Sequence, residues 1–450
     1  MKNKRTLIHN ATIINENKRF IGSVVIEDNY IAEVLTAGQE PKLPCSEVID
    51  ATGNFLIPGV IDTHVHFRDP GMTQKADFLT ESSAAVAGGV TSICDMPNTI
   101  PQTTTIEALE SKLNLMSERS LINYSCFFGA TNSNFKIFKD IEQYPICGIK
   151  VFMGASTGNM LVDRRRSLEE IFNGTDFLIA THCENNDAIN KNRAYYLKKE
   201  NEKEDLPLSF HPLIRSEEAC YQSTALAVEL ATQTQARLHV LHLSTKKELQ
   251  LFSSTPIEQK SITSEACIGH LLYSDKDYLT LGTKIKCNPA IKTEEDKKGL
   301  RDGINTNLID TIATDHAPHL PKDKEGGALK AASGIPTLQY SLVNMLQLVD
   351  EGVFSLETIV DKMCHAPAKI FRVKKRGFIK KGYAADLVLL NPKKEWCVTK
   401  ENILSKCGWS PFEGNRYNWS VEKTFVNGNL LYSQNRVVNT QKGELLDFDR

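Results

Sequence analysis

Long apolar runs are missing from this chain. No stretch approaches the ~20 consecutive apolar residues that a membrane-spanning helix needs. The basic start, Met1-Lys2-Asn3-Lys4-Arg5, is not followed by an apolar segment of signal length. An excess of charge is missing too: 53 Lys and Arg face 55 Asp and Glu. No basic nucleic-acid groove or polyanion-binding face is therefore expected. The short runs Arg164-Arg165-Arg166 and Lys374-Lys375-Arg376 read as solvated loop or helix ends. CxxC pairs, internal repeats and low-complexity tracts are also absent. The eleven cysteines are scattered through a chain too long to need staples, which suits reduced thiols. These absences leave a soluble cytoplasmic protein whose 450 residues can hold one large domain and a smaller one.

Two styles of patterning divide the chain. Residues 6–53 alternate apolar and polar in short pieces, among them Thr6–Ile14, Ser23–Glu27 and Ile31–Val34, separated by turn residues. The C-terminal part has the same character in Ala385–Leu390 and Val421–Tyr432, where Asn427-Gly428 signals a two-residue hairpin turn. Both ends together predict one small β-sandwich domain, residues 1–55 with 378–450. Between them, short apolar runs alternate with helical stretches such as Lys75–Gly88, Thr105–Arg119 and Ser216–Gln235. The runs are Phe55–His66, Val90–Met96, Ile122–Phe128, Ile146–Phe152, Phe177–His182, Ala236–Leu243, Ile262–Cys267 and Leu308–Asp315. Eight strands with intervening helices predict an α/β fold, a (β/α)8 TIM-type barrel over residues 56–377.

A barrel of this kind gathers its chemistry at the C-terminal strand ends. The polar residues closing the runs are His64 and His66, Lys150, His182, His242 and Asp315. His64 and His66 share a strand face by alternation, so both can grip one cation. Imidazole and carboxylate together suit zinc. Arg68, of the same parity if the strand continues, offers a planar fork for a carboxylate. Lys150 is the misfit, because an ammonium repels cations; as a carbamate it would become an anion able to bridge two metals. Asp315 can bind metal through one oxygen and hold a proton with the other. His319 opens a Lys- and Gly-rich loop, Leu320–Ser333, that reads as a lid, a substrate-contacting segment or ordinary exposed loop.

Taken together, Asp62–Gly71, Asp95–Thr99 and Ala313–Lys324 resemble the signatures of the cyclic amidohydrolase branch of the amidohydrolase superfamily, most closely its dihydroorotases. The resemblance runs nearly the whole chain, to Lys380–Val388. It implies two Zn2+ ions per subunit, bridged by hydroxide and by carbamylated Lys150, with His64, His66, His182, His242 and Asp315 completing the ligand set. It also implies Asp315 as the catalytic proton carrier. Arg68, Asn98, Asn288, His319, Ser333 and Gly334 would contact a carboxylate-bearing small-molecule substrate, dihydroorotate or N-carbamoyl-aspartate. The segment Ser264–His270 departs from the usual Thr-Pro-His-His pattern, and no ligand is expected there. A homo-oligomer, a dimer first, is expected. The competing readings are an allantoinase or hydantoinase-type enzyme and a non-catalytic scaffold.

Overall fold

A computed structural model describes residues 4–154 and 159–450. The N-terminal strands are β1 (Arg5–Asn15), β2 (Lys18–Glu27), β3 (Tyr30–Thr36), β4 (Glu47–Asp50) and β5 (Phe55–Pro58). Eight strands follow: β6 (Val60–Val65), β7 (Val90–Asp95), β8 (Asn123–Gly129), β9 (Gly148–Phe152), β10 (Ile179–His182), β11 (Leu238–Val240), β12 (Ile262–Cys267) and β13 (Thr311–Ala313). These eight form one parallel sheet in chain order. Its seam is drawn together where His66 N–H donates to the His316 carbonyl at 2.8 Å and Thr314 Oγ1 donates to buried Asp62 at 2.6 Å. The result is the (β/α)8 barrel that the pattern predicts.

Both chain ends build a second sheet. After β14 (Leu387–Asn391) and the small β15–β16 pair (Trp396–Cys397 with Arg416–Tyr417) come β17 (Ser420–Val426), β18 (Asn429–Ser433) and β19 (Arg436–Val437). The sheet order is β19-β18-β17-β14-β5-β1-β2-β3, with β4 on β1. Ile8, Ile13, Val24, Leu56, Leu387, Leu389 and Phe425 give it a core of its own. The predicted hairpin turn lies between β17 and β18, with Asn427 and Gly428 both left-handed at φ 48° and 72°.

Three expectations change. The run Phe55–His66 is not a single barrel strand: Phe55–Pro58 pairs with β1 and β14, and the chain crosses into the barrel at Gly59. Only glycine fits there, because a Cβ would lie 2.1 Å from Thr91 Oγ1. Extension also fails beyond Val65, so Arg68 does not share a strand face with His66; it is left-handed at φ 64°. The Phe67 amide is captured by Asp95 Oδ1, at the end of the neighbouring strand β7, at 2.8 Å as the chain turns away from the strand direction. Finally, the thiols are not all free. Cys94 on β7 and Cys147, just before β9, form a disulfide. They are 53 residues apart, and only the β7-β8-β9 layering brings them together. No helix among the described residues is long and apolar enough to cross a membrane.

Candidate active site

At the C-terminal mouth of the barrel, three acceptors converge. His64 lies near the end of β6, His66 just past it, and Asp315 two residues beyond β13. Glu265 on β12 can only accept, so His64 donates its Nδ1 proton there at 2.7 Å. The Asn98 carbonyl oxygen takes the Nδ1 proton of His66 at 2.8 Å. Both imidazoles then turn Nε2 lone pairs toward Asp315 Oδ1, at 3.2 and 3.1 Å. Burial, which disfavours the imidazolium, lowers the His66 pKa to about 4, so its Nε2 carries no proton at neutral pH. Ligand atoms of His64, His66 and Asp315 gathered this closely are the arrangement that a cation would occupy, and each histidine has the outer hydrogen bond typical of a metal ligand. The residues fit a metal.

A second imidazole pair lies beside the first. His182, ending β10, donates through Nε2 to Glu184 at 3.0 Å, and Arg215 holds Glu184 from behind. That leaves His182 Nδ1 facing His242 Nε2 at 2.9 Å. His242 Nδ1 is buried without a partner, and its ring lies 5.3 Å from that of His64. Lys150, mid-strand on β9, is 1% exposed and makes no ion pair among the described residues; its Nζ rests 4.5 Å from the centre of the Phe152 ring. Burial draws its pKa down to about 8. Its charge is felt at Asp315, His182 and His242.

The facing wall is built from loops. Arg68 donates Nε–H to the Pro318 carbonyl at 3.1 Å, and its Nη2 lies 3.1 Å from His319 Nε2. It is 7% exposed and has no carboxylate partner among the described residues. Burial brings its pKa to about 10, still leaving it charged at neutral pH. Lys75, paired with Asp323 at 3.0 Å, donates to His319 Nδ1 at 3.1 Å. His319 therefore carries its proton on Nε2 and donates it to the Ser333 carbonyl at 3.1 Å. Asn98, its oxygen committed to His66, has its amide N–H groups left to donate. Gly334 follows Ser333 at φ 150°, where a Cβ would lie 2.4 Å from the Ala317 carbonyl. Asn288 stands apart: its buried Oδ1 is unpartnered, and its loop is held by His211 on the Cys287 carbonyl and His270 on the Pro289 carbonyl.

The structure thus hydrogen-bonds Asn98 to His66 and Arg68 to His319, and gives Asn288 no hydrogen bond to the histidine cluster among the described residues. The 320–333 loop is pinned rather than open: Asp205 accepts from the amides of Gly327, Leu329 and Lys330. Sequence reasoning missed Glu265, Glu184 and Arg215. Glu265 sits in the segment where no ligand was expected, yet with Cys267 it approaches His64 closely enough to form a second candidate metal-binding group. Its signal was a carboxylate in a strand otherwise destined for burial. Glu184 and Arg215 gave no such signal.

The chain belongs to the amidohydrolase family, whose model matches residues 55–431. Within that family it is similar to the dihydroorotase of Methanosphaera stadtmanae, 32% identical over 421 residues covering 93% of this chain and 94% of the relative. The dihydroorotase of Methanothermobacter thermautotrophicus is likewise 32% identical, covering 92% of each. Among solved structures, the L-hydantoinase (dihydropyrimidinase) of Arthrobacter aurescens superposes with a TM-score of 0.92 at 26% identity, covering 98% of this chain and 99% of that one.

Proposed function

We propose that this chain catalyses the reversible, metal-dependent cyclisation of N-carbamoyl-L-aspartate to L-dihydroorotate, a step of pyrimidine biosynthesis. One observation carries the choice of substrate: the unpaired, buried guanidinium of Arg68 beside the histidine cluster. A neutral ring amide has no use for such a group, whereas a substrate carboxylate would satisfy it with charge-assisted hydrogen bonds. The similarity to dihydroorotases over more than nine-tenths of the chain supports the same reading.

Two zinc ions would be held by His64, His66, His182, His242, Asp315 and Lys150, the last as a carbamate. A fully buried amine with no ion-pair partner among the described residues suits that modification. When bound, the metals supply Lewis acidity and a nucleophile available at neutral pH. The protein does the rest. Arg68 and the Asn98 amide orient the carboxylate, with His319 beside Arg68 on the same wall, fixing the ring amide carbonyl over the cluster. In ring opening, water adds to that carbonyl carbon and the C–N bond breaks. Asp315 takes the proton from the water and delivers it to the departing nitrogen. In ring closure the ureido nitrogen attacks the side-chain carboxyl carbon, Asp315 accepts the nitrogen's proton, and water leaves.

The test is turnover of L-dihydroorotate by zinc-loaded protein, followed by ultraviolet absorbance, with allantoin and dihydrouracil assayed in parallel. Selective loss of dihydroorotate supports the proposal. Activity confined to a neutral ring would transfer the site to the hydantoinase type, and inactivity on all three would leave a non-catalytic scaffold.

A further inference from the structure

Behind the substrate wall lies a lysine that the mechanism does not use. Lys324 is 5% exposed and has no ion pair among the described residues. Its three ammonium protons go instead to three backbone carbonyls: Lys286 at 3.0 Å, Ala332 at 2.8 Å and Gly334 at 2.9 Å. These carbonyls come from two segments far apart in sequence, the 286–289 loop that carries Asn288 and the 331–334 segment that carries Ser333 and Gly334. The Lys286 carbonyl also accepts from the Gly334 amide at 2.9 Å. Lys286 repeats the device, its own buried ammonium donating to the Ala331 carbonyl.

We infer that Lys324 is a positioning residue for substrate affinity: its ammonium clamps Gly334 against the 286–289 loop and so sets the wall that meets the substrate carboxylate. Burying an unpaired ammonium is costly, and apolar side chains of similar length are cheaper. What an apolar side chain cannot do is reach three convergent carbonyls, two of which, Ala332 and Gly334, have no other donor among the described residues. The clamp connects directly to the binding groups. Gly334 is held beside His319, where a Cβ would lie 2.9 Å from its ring, and the preceding Ser333 carbonyl accepts from His319 Nε2. Burial draws the Lys324 pKa down to about 7, so the clamp rests on its hydrogen bonds rather than on a full charge.

This inference rests on the proposed substrate, and the experiment separates the two. KM and kcat for L-dihydroorotate are measured in full-length, zinc-loaded Lys324→Met and Lys324→Gln proteins with metal content and melting temperature recorded. KM should rise at least tenfold in Lys324→Met and less in Lys324→Gln, which keeps two donors, with kcat within threefold of the parent. An unchanged KM, or a loss confined to kcat, overturns the inference. If Lys324→Met does not fold, Lys286→Met is tested instead; it should raise KM, and an unaltered KM there would overturn the clamp. If the parent protein proves inactive on dihydroorotate, the functional reading fails alone. Hydrogen exchange over residues 331–335 in Lys324→Gln then decides: faster exchange supports the clamp, and unchanged exchange overturns it.

Discussion

The two walls of the site are made differently. On one side the histidines, Lys150 and Asp315 come from barrel strands or lie within two residues of them, placed by a parallel sheet with a fixed pleat. On the other, Arg68, Asn98, His319 and Gly334 sit on loops, which have no periodic lattice to hold them. Cross-links substitute for the lattice. Lys112 pairs with Asp95, which captures the Phe67 amide; Lys75 bridges His319 and Asp323; Lys324 ties three carbonyls. Under the proposed function, bond-making chemistry falls to the strand ends and substrate choice to loop segments that can change without disturbing the barrel.

If the division is right, damage to the strand-end wall should abolish reaction with any substrate, while damage to the loop wall should be selective. Chelation should have the largest effect, taking turnover of every cyclic amide to background, with zinc restoring it. Next comes Asp315→Asn, where kcat should fall by about 10²–10⁴-fold, the usual worth of a positioned proton carrier; metal analysis should show the ions retained. Arg68→Met should lower kcat/KM for dihydroorotate by roughly 10²-fold or more. Any activity on dihydrouracil should survive, so a parallel loss on the neutral ring would break the comparison. Glu184→Gln, which loosens His182, should weaken metal binding by about 10–100-fold in a chelator competition.

The smallest effect concerns the loop wall's dependence on pH. Burial lowers the His211 pKa to about 3 and the His270 pKa to about 4, against an ordinary histidine value near 6.5. Both stay neutral in the folded state while their unfolded counterparts take up protons. Stability is therefore full above about pH 6.5 and is lost as pH falls below it. For His211 the loss between pH 6.5 and 5 is about 2 kcal/mol. Urea unfolding at pH 7 and pH 5 should show a smaller difference in His211→Gln than in the parent.

The same contrast explains what could be read from sequence. The histidines at the strand ends were legible because strand periodicity and strand termination leave a linear trace. Arg68 was legible by residue type but not by conformation, since the Asp95 contact at this turn comes from another strand. Glu265 was hidden in a polar strand, and the Glu184–Arg215 pair spans a loop and a helix that no local rule connects. Lys324 read as one charge among several in a loop, because three carbonyl partners from two segments have no signature in a linear chain. The split at Gly59 was invisible for a related reason: two apolar strands in different sheets abut with one residue between them.

Arg68, His242 and Asp315 adopt left-handed backbone conformations, at φ 64°, 39° and 47°. Such geometry costs roughly 1 kcal/mol or more at Arg68 and less at His242 and Asp315, since histidine and aspartate tolerate this region better than most side chains. Mutation toward glycine or asparagine at these positions therefore runs downhill in folding energy and uphill in catalysis. A lineage released from selection for turnover would be expected to shed these three side chains early while keeping the barrel, ending as an inert protein sturdier than its ancestor.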